Sequence, residues 1–259
     1  MAAAALLPIG IFVLEFLWVP STAYGETHWA LGIVIASLLL IYFARHRAQL
    51  GGDGKDLDCG LFAASALSLI ALALFVVLTK TALTLGLSFV ILLASLINRR
   101  YKLPPLGWMI QIGIAVIGYR LLIDPGFQWS LNEASFLNFL LAYLGPIAAL
   151  IGILLITKDT HYAQPNINEN LTPDQIHHQQ QRSDRQQALI RSVAESALIS
   201  FGGIFLTLFL ARLIDAKDFL NHWGYGISAM IWFSSAIAQL WRLPHSSGKA
   251  RLVRLGFVV

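Results

Sequence analysis

From Cys59 to Thr79 the chain reads CGLFAASALSLIALALFVVLT, and from Thr81 to Asn98 it reads TALTLGLSFVILLASLIN. Lys80 is the one charge between them, and Arg99-Arg100 closes the second run. A helix crossing ~30 Å of hydrocarbon needs about 20 apolar residues, with a usual range of roughly 17–25, and both runs meet it. In lipid every backbone N–H and C=O must be satisfied within the segment, so runs of this kind fold as helices. The short alternating segments of a transmembrane β-barrel do not occur.

Six more apolar stretches flank this pair, at 6–20, 29–44, 104–123, 135–157, 192–213 and 224–241. The expected fold is therefore all-α: a polytopic transmembrane helical bundle of about eight spans, forming one transmembrane domain over 1–259. Composition points the same way. Hydrophobic residues make up 57% of the chain and charged residues 12%, against about 25% charged in an ordinary soluble domain.

The basic residues alternate from gap to gap. Arg45, Arg47 and Lys55 follow the second stretch, Arg99, Arg100 and Lys102 the fourth, Lys158, Arg182, Arg185 and Arg191 the sixth, and Arg242, Lys249, Arg251 and Arg254 the eighth. The remaining gaps hold only Lys80, Arg120, Arg212 and Lys217. Cytoplasmic loops retain Lys and Arg, so this alternation places both termini in the cytoplasm. It also accounts for the formal charge of +4 without nucleic acid, since no basic stripe interleaved with aromatics occurs. The expected surroundings are a lipid bilayer, specifically a bacterial inner membrane, with room for membrane-protein partners. Trp18, Trp29, Tyr101, Trp108, Trp129, Trp223 and Trp241 lie near stretch ends, as an interfacial aromatic belt requires.

The first stretch has a rival reading. Residues 6–19 resemble the apolar region of a signal peptide, with Ser21-Thr22-Ala23 as cleavage site, although Met1 to Leu7 carries no Lys or Arg and Glu15 interrupts the run. The polar connection 158–188 contains Thr172-Pro173-Asp174-Gln175, a helix start with Thr as N-cap and Pro at the first helical position. That helix is expected to continue into the seventh span. The acidic run Asp53, Asp56, Asp58 in a Gly-rich loop lacks the spacing and closing Glu of a calcium loop and reads as a solvated turn. Cys59, the single cysteine, reads as a small apolar residue. Gly113, Gly118 and the pair Gly202-Gly203 are expected to seat neighbouring helices closely, and Pro146 to kink the sixth span.

Ionisable groups inside a membrane cost at least ~2.5–3.5 kcal/mol at mid-helix on insertion scales, so they are the natural functional candidates. Glu15, Lys80, Arg120, Asp124, Arg212 and Asp215 fall at a similar depth toward the outer face. The candidate site is an intramembrane polar cluster of Glu15, Arg120, Asp124, Arg212 and Asp215, with a Glu15–Arg120 or Glu15–Arg212 pair lining an outward-facing cavity. The competing use is structural, with Arg and Lys side chains snorkelling to the interface. On the inner side Arg191 and Glu195 form a local i,i+4 pair. Gln111 and Asn138 are candidates for hydrogen bonds between helices. No phosphate loop, His-Glu-x-x-His or Gly-x-Ser-x-Gly motif is found, and neither catalytic residues nor metal or cofactor ligands are assigned.

One stretch resembles a known family. Arg99-Arg100-Tyr101-Lys102-Leu103-Pro104-Pro105-Leu106, then an apolar span, then Arg120-Leu121-Leu122-Ile123-Asp124-Pro125 is similar to bacterial inner-membrane proteins grouped as domain of unknown function 2339. The seventh span, with Glu195 near its start and Arg212 near its end, is also similar, so the likeness covers about residues 60–240. Members of that family are usually longer, and the apolar run Leu255 to Val259 suggests a fragment or truncated member. The resemblance brings no activity and no site residues. Two expectations follow: transport or channel-like passage of an envelope component, or a non-catalytic scaffold or accessory subunit of an envelope complex. A membrane-embedded transferase ranks behind both.

Overall fold

A computed structural model describes residues 2–50, 55–101, 103–158, 173–214 and 222–242. Every regular element among them is helical, and no strand occurs among the described residues. The elements are α1 (Ala2–Trp18), α2 (Pro20–Tyr24), α3 (Glu26–Leu50), α4 (Lys55–Val77), α5 (Lys80–Tyr101), α6 (Pro104–Leu122), α7 (Gly126–Gln128) running into a π-turn (Trp129–Glu133), α8 (Phe136–Lys158), α9 (Pro173–Leu213) and α10 (His222–Arg242).

Among the described residues, six helices are long and apolar enough to cross a membrane: Glu26–Gln49, Leu57–Val77, Lys80–Tyr101, Pro104–Leu122, Phe136–Lys158 and Asp184–Leu213. The first and eighth stretches differ from them. Leu6–Trp18 is apolar but shorter. The helix α10 is long, but Ser228, Ser234, Ser235 and Gln239 interrupt its apolar run. Large apolar side chains lie exposed along these helices, as with Leu31, Ile35, Leu38 and Tyr42 on α3. Exposed apolar bands of that extent suit a lipid surrounding rather than water.

The chain packs as two compact units, Met1–Gly113 and Ile114–Val259, with the boundary inside α6. In the first, α3 and α4 form an antiparallel hairpin: Phe43 meets Phe62, Ala44 meets Cys59 and Arg47 meets Asp58. Its core joins Ala30, Ile33 and Leu40 of α3 to Ala66, Leu69, Leu72 and Ala73 of α4, with Ile11 of α1 packed against them. Spacings of three and four keep each set on one helix face, and the alanines let the axes approach. Gly113 sits so close to Ile91 that a Cβ there would collide with its Cγ2 atom.

The second unit is built on α8 and α9. Buried residues on α9 recur at Ile190, Ala194, Ala197, Phe201, Ile204, Leu208 and Ala211, alternating steps of four and three. The α8 helix answers with Phe139, Tyr143, Pro146, Leu150 and Ile153. This is the heptad spacing of helices that pack knob into hole. The described part of α9 runs unbroken for 41 residues from Pro173 into the seventh apolar stretch, and Thr172, expected as its N-cap, lies outside the described residues.

Four expectations are corrected. Asp58 is not in a solvated turn. It is buried and paired with Arg47 (Nε–Oδ2, 3.0 Å), because the partner lies across the hairpin rather than in the loop. Gln111 donates to the Gly107 carbonyl of its own helix at 3.2 Å instead of bridging helices. Trp129 is buried and does not belong to an interfacial belt, whereas Trp18, Tyr101, Trp108 and Trp241 are exposed. Gly202 is likewise not a close seat, since a Cβ there meets nothing within 4 Å, while Gly203 faces Ser235. Asp53 and the side chains of Asp56, His177, His178 and Trp223 lie outside the described residues.

Candidate functional site

Two places in the chain interrupt regular helix beside ionisable side chains. The first follows α6. Arg120 ends that helix and pairs with Asp124 one turn on (Nη1–Oδ2, 3.3 Å). The pair is lopsided, with the Arg120 side chain 6% exposed and that of Asp124 61%. The backbone then reverses at Gly126, whose φ of 71° falls in the left-handed region that glycine alone enters freely. A π-turn follows, closed by the Ala134 N–H on the Trp129 carbonyl at 2.9 Å.

Such a segment leaves carbonyls that no helix satisfies, and away from water each needs a donor. Arg212, at the end of α9, supplies two. Its Nη1 donates to the Ser130 carbonyl at 2.6 Å and its Nη2 to the Ala134 carbonyl at 2.7 Å. The same guanidinium lies 5.1 Å from the centroid of the Phe139 ring. Phe205 and Phe209 precede Arg212 on one face of α9; Phe205 stacks against Phe139 with centroids 5.7 Å apart, and Phe209 packs against Phe205 and Phe136. Arg212 thus ends an aromatic seam.

Behind the fork lies a hydroxyl relay. The Ser130 Oγ is 2.9 Å from both the Gly126 carbonyl and the Tyr143 Oη, and Tyr143 donates to the Leu121 carbonyl at 3.3 Å. Two hydroxyl protons serve three contacts, so one of them is shared. The relay links the turn back to α6 next to Arg120. Arg212 is therefore joined to the turn through a network that includes Ser130 and Tyr143, which the sequence reading had not singled out, and the Arg120–Asp124 pair lies beside it in the chain. No side-chain pattern announces Ser130 and Tyr143, because their partners are backbone carbonyls and each other, thirteen residues apart.

The second interruption holds Glu15. Val19, between α1 and α2, is left-handed (φ 48°, ψ 58°). For a β-branched residue before a proline this backbone is strained. Its N–H keeps the Glu15 carbonyl at 3.0 Å, and its carbonyl accepts from the Thr22 N–H and hydroxyl. Pro20 then starts α2, where its missing N–H is harmless. The twist returns Ser21 to Glu15, and the Ser21 Oγ donates to Oε1 at 2.5 Å. The other carboxyl oxygen, Oε2, is buried with no hydrogen-bond partner among the described residues, as is the Trp29 Nε1. Chemically, Oε2 can accept one further donor or coordinate a cation.

Elsewhere, Lys80 begins α5 with a φ of 38° and an exposed side chain. Asp215 lies outside the described residues. Asn138 is exposed. Arg191 and Glu195 form the expected pair at 3.0 Å, but Glu195 also takes Arg242 of α10 at 3.2 Å. Next to it Gln239, fully buried, exchanges hydrogen bonds with Ser196, accepting from its hydroxyl at 3.1 Å and donating to its carbonyl at 3.2 Å. The basic ends that Arg191 and Arg242 give to the seventh and eighth apolar stretches are the signal that would have suggested the Arg242 contact. No group of three or more His, Cys, Asp or Glu able to hold a metal occurs among the described residues. No family model, no curated protein and no solved structure matches this chain.

Proposed function

We propose that this chain is an eight-span protein of a bacterial inner membrane, both termini cytoplasmic, that passes an envelope component or its coupling ion, with Glu15 on the path. The buried Oε2 of Glu15, without a hydrogen-bond partner among the described residues, carries this reading. An intramembrane carboxyl is expensive to keep unless it is used. Its setting supports the same conclusion, since helices interrupted beside an ionisable group are how membrane transporters expose polar atoms to a solute. The likeness of residues 99–125 to the domain of unknown function 2339 proteins is kept as part of the proposal.

The test is complementation. In cells lacking the protein, Glu15→Gln at normal abundance is expected to leave the envelope defect of the deletion uncorrected. Full correction by Glu15→Gln removes Glu15 from the path. Orientation is tested with a Cys59→Ser chain carrying one new cysteine at Gly52 or at Gln128. A membrane-impermeant maleimide applied to intact spheroplasts is expected to label position 128 and not 52, and the reverse pattern overturns the topology. A second reading, a non-catalytic scaffold or accessory subunit, is favoured by Arg212, whose guanidinium is engaged by the Ser130 and Ala134 carbonyls rather than presented to a solute.

A further inference from the structure

We propose that the groove between α9 and α10 binds an anionic phospholipid, its phosphate on Arg191 and Arg242 and one acyl chain over Gly202. The inference rests on the proposed orientation, which the cysteine labelling tests separately, and not on the role of Glu15. The groove is open and shallow, offers about 380 Å³ and is lined mainly by apolar atoms, from Ile199, Gly202 and Leu206 on α9 and Met230, Ile231 and Ala238 on α10. Its floor is closed where Gly203 meets Ser235 and is open at Gly202, where a Cβ would find nothing within 4 Å. An open apolar groove at that depth in a bilayer faces hydrocarbon.

Charge selects the kind of hydrocarbon. With about 100° per residue, Glu195, Ile199, Gly202 and Leu206 all fall within about 80° of Arg191 around α9. On α10, Ala238, Ser235 and Ile231 fall within about 40° of Arg242. Most of the groove lining therefore lies on the faces that end in the two arginines, with Gly203 and Met230 about 120° away from them. Both bond the carboxylate of Glu195, so two guanidiniums meet at that one group. Their side chains are 50% and 47% exposed, so they are accessible from outside the helix pair. A guanidinium fork fits phosphate oxygens, and the cytoplasmic leaflet is the anionic one.

Depth agrees as well. At 1.5 Å per residue, Ile199 lies about 12 Å and Leu206 about 22 Å along α9 from Arg191. A headgroup held at the arginines thus places its chain beside the groove, within a hydrocarbon layer about 30 Å thick. A second transmembrane helix in the groove would bring no anion to the arginine pair, which is why a lipid is favoured over a protein partner.

The experiment uses the full chain in detergent micelles with a phosphatidylglycerol carrying a photoactivatable diazirine in one acyl chain. The matching phosphatidylcholine is the comparison. Light is expected to attach phosphatidylglycerol to groove-lining residues of α9 and α10, with phosphatidylcholine at least about fivefold weaker. Gly202→Leu is expected to lower phosphatidylglycerol labelling about tenfold, and Arg242→Gln to bring it down to the phosphatidylcholine level. Millimolar inorganic phosphate is expected not to compete. Equal labelling by both lipids, attachment outside the groove, indifference to Gly202→Leu, or displacement by phosphate alone each overturns the proposal. The attachment map is read on the unaltered chain, so the test holds even where a variant fails to fold.

Discussion

Arg212→Ala tests whether the irregular turn after α6 depends on its fork. The substitution removes two hydrogen bonds from a charged donor, at 2.6 and 2.7 Å, and a contact with the Phe139 ring at 5.1 Å. Hydrogen bonds to charged groups contribute about 1.5–3 kcal/mol each, and a desolvated cation–π contact about 2 kcal/mol. These terms are not additive, and removing the charge recovers part of its desolvation, so the net loss is about 3–5 kcal/mol. That is the range in which single substitutions become exceptional. Arg212→Lys keeps the charge but offers a point donor instead of a fork. It is expected to reach one carbonyl and to lose roughly half as much, by the same hydrogen-bond value. The assay is equilibrium unfolding in mixed detergent–dodecyl sulfate micelles, followed by tryptophan fluorescence, to which the buried Trp129 of the clamped turn contributes. Amide exchange at Ala134, bonded to the Trp129 carbonyl, reports the turn directly and is expected to quicken. A change below about 0.5 kcal/mol for Arg212→Ala, the usual scatter of inconsequential surface substitutions, refutes the reasoning. So does a lysine variant as stable as the unaltered protein.

Two further outcomes are expected in the same unfolding assay. Gly113→Ala drives a methyl into Ile91 and should lose about 1–3 kcal/mol, as overpacked cores do. Adding Ile91→Ala should recover part of it, and Gly202→Ala, which meets open space, should be near neutral. Equal effects of the two glycine substitutions would contradict the packing described. For the hairpin pair, Arg47→Ala should be worse than Asp58→Ala. The first strands a carboxylate only 7% exposed, while the second leaves an arginine already 33% exposed and able to reach water. The difference should be about 1–2 kcal/mol, below the roughly 3–5 kcal/mol of a fully buried broken pair. An inverted order would mean that Asp58 has another source of compensation.

What could be read from the sequence was whatever repeats along one helix. Apolar length gave the helices, and the i,i+4 spacing gave Arg120–Asp124 and Arg191–Glu195. The run of α9 from Pro173 was legible because Thr172-Pro173 combines two local preferences. What escaped needed the path of the chain. Asp58 looked solvated among glycines because Arg47 stands eleven positions earlier, on the other arm of a hairpin. Arg212 looked like a candidate for an ion pair, yet its partners are carbonyls about eighty residues away, and a carbonyl has no letter in the sequence. Ser130 and Tyr143 were passed over for the same reason. Gly202 and Gly203 look interchangeable on paper, and only their different azimuths on α9 make one a seat and the other a gap.

The long helix α9 has a mechanical consequence. Its 41 residues make a rod about 60 Å long at 1.5 Å per residue, with a glutamine-rich head at one end and Arg212 at the other. A hydrogen bond stretched from 2.6 Å past about 3.5 Å is lost, so sliding the rod by ~1 Å along its axis unseats the fork. A shift of one helical turn, ~5.4 Å, would carry it to different atoms altogether. The arginine therefore acts as a key in a shaft. It fixes where α9 stands lengthwise against the turn before α8, a setting that the smooth, repeating apolar seam between the two helices specifies only modulo its own period.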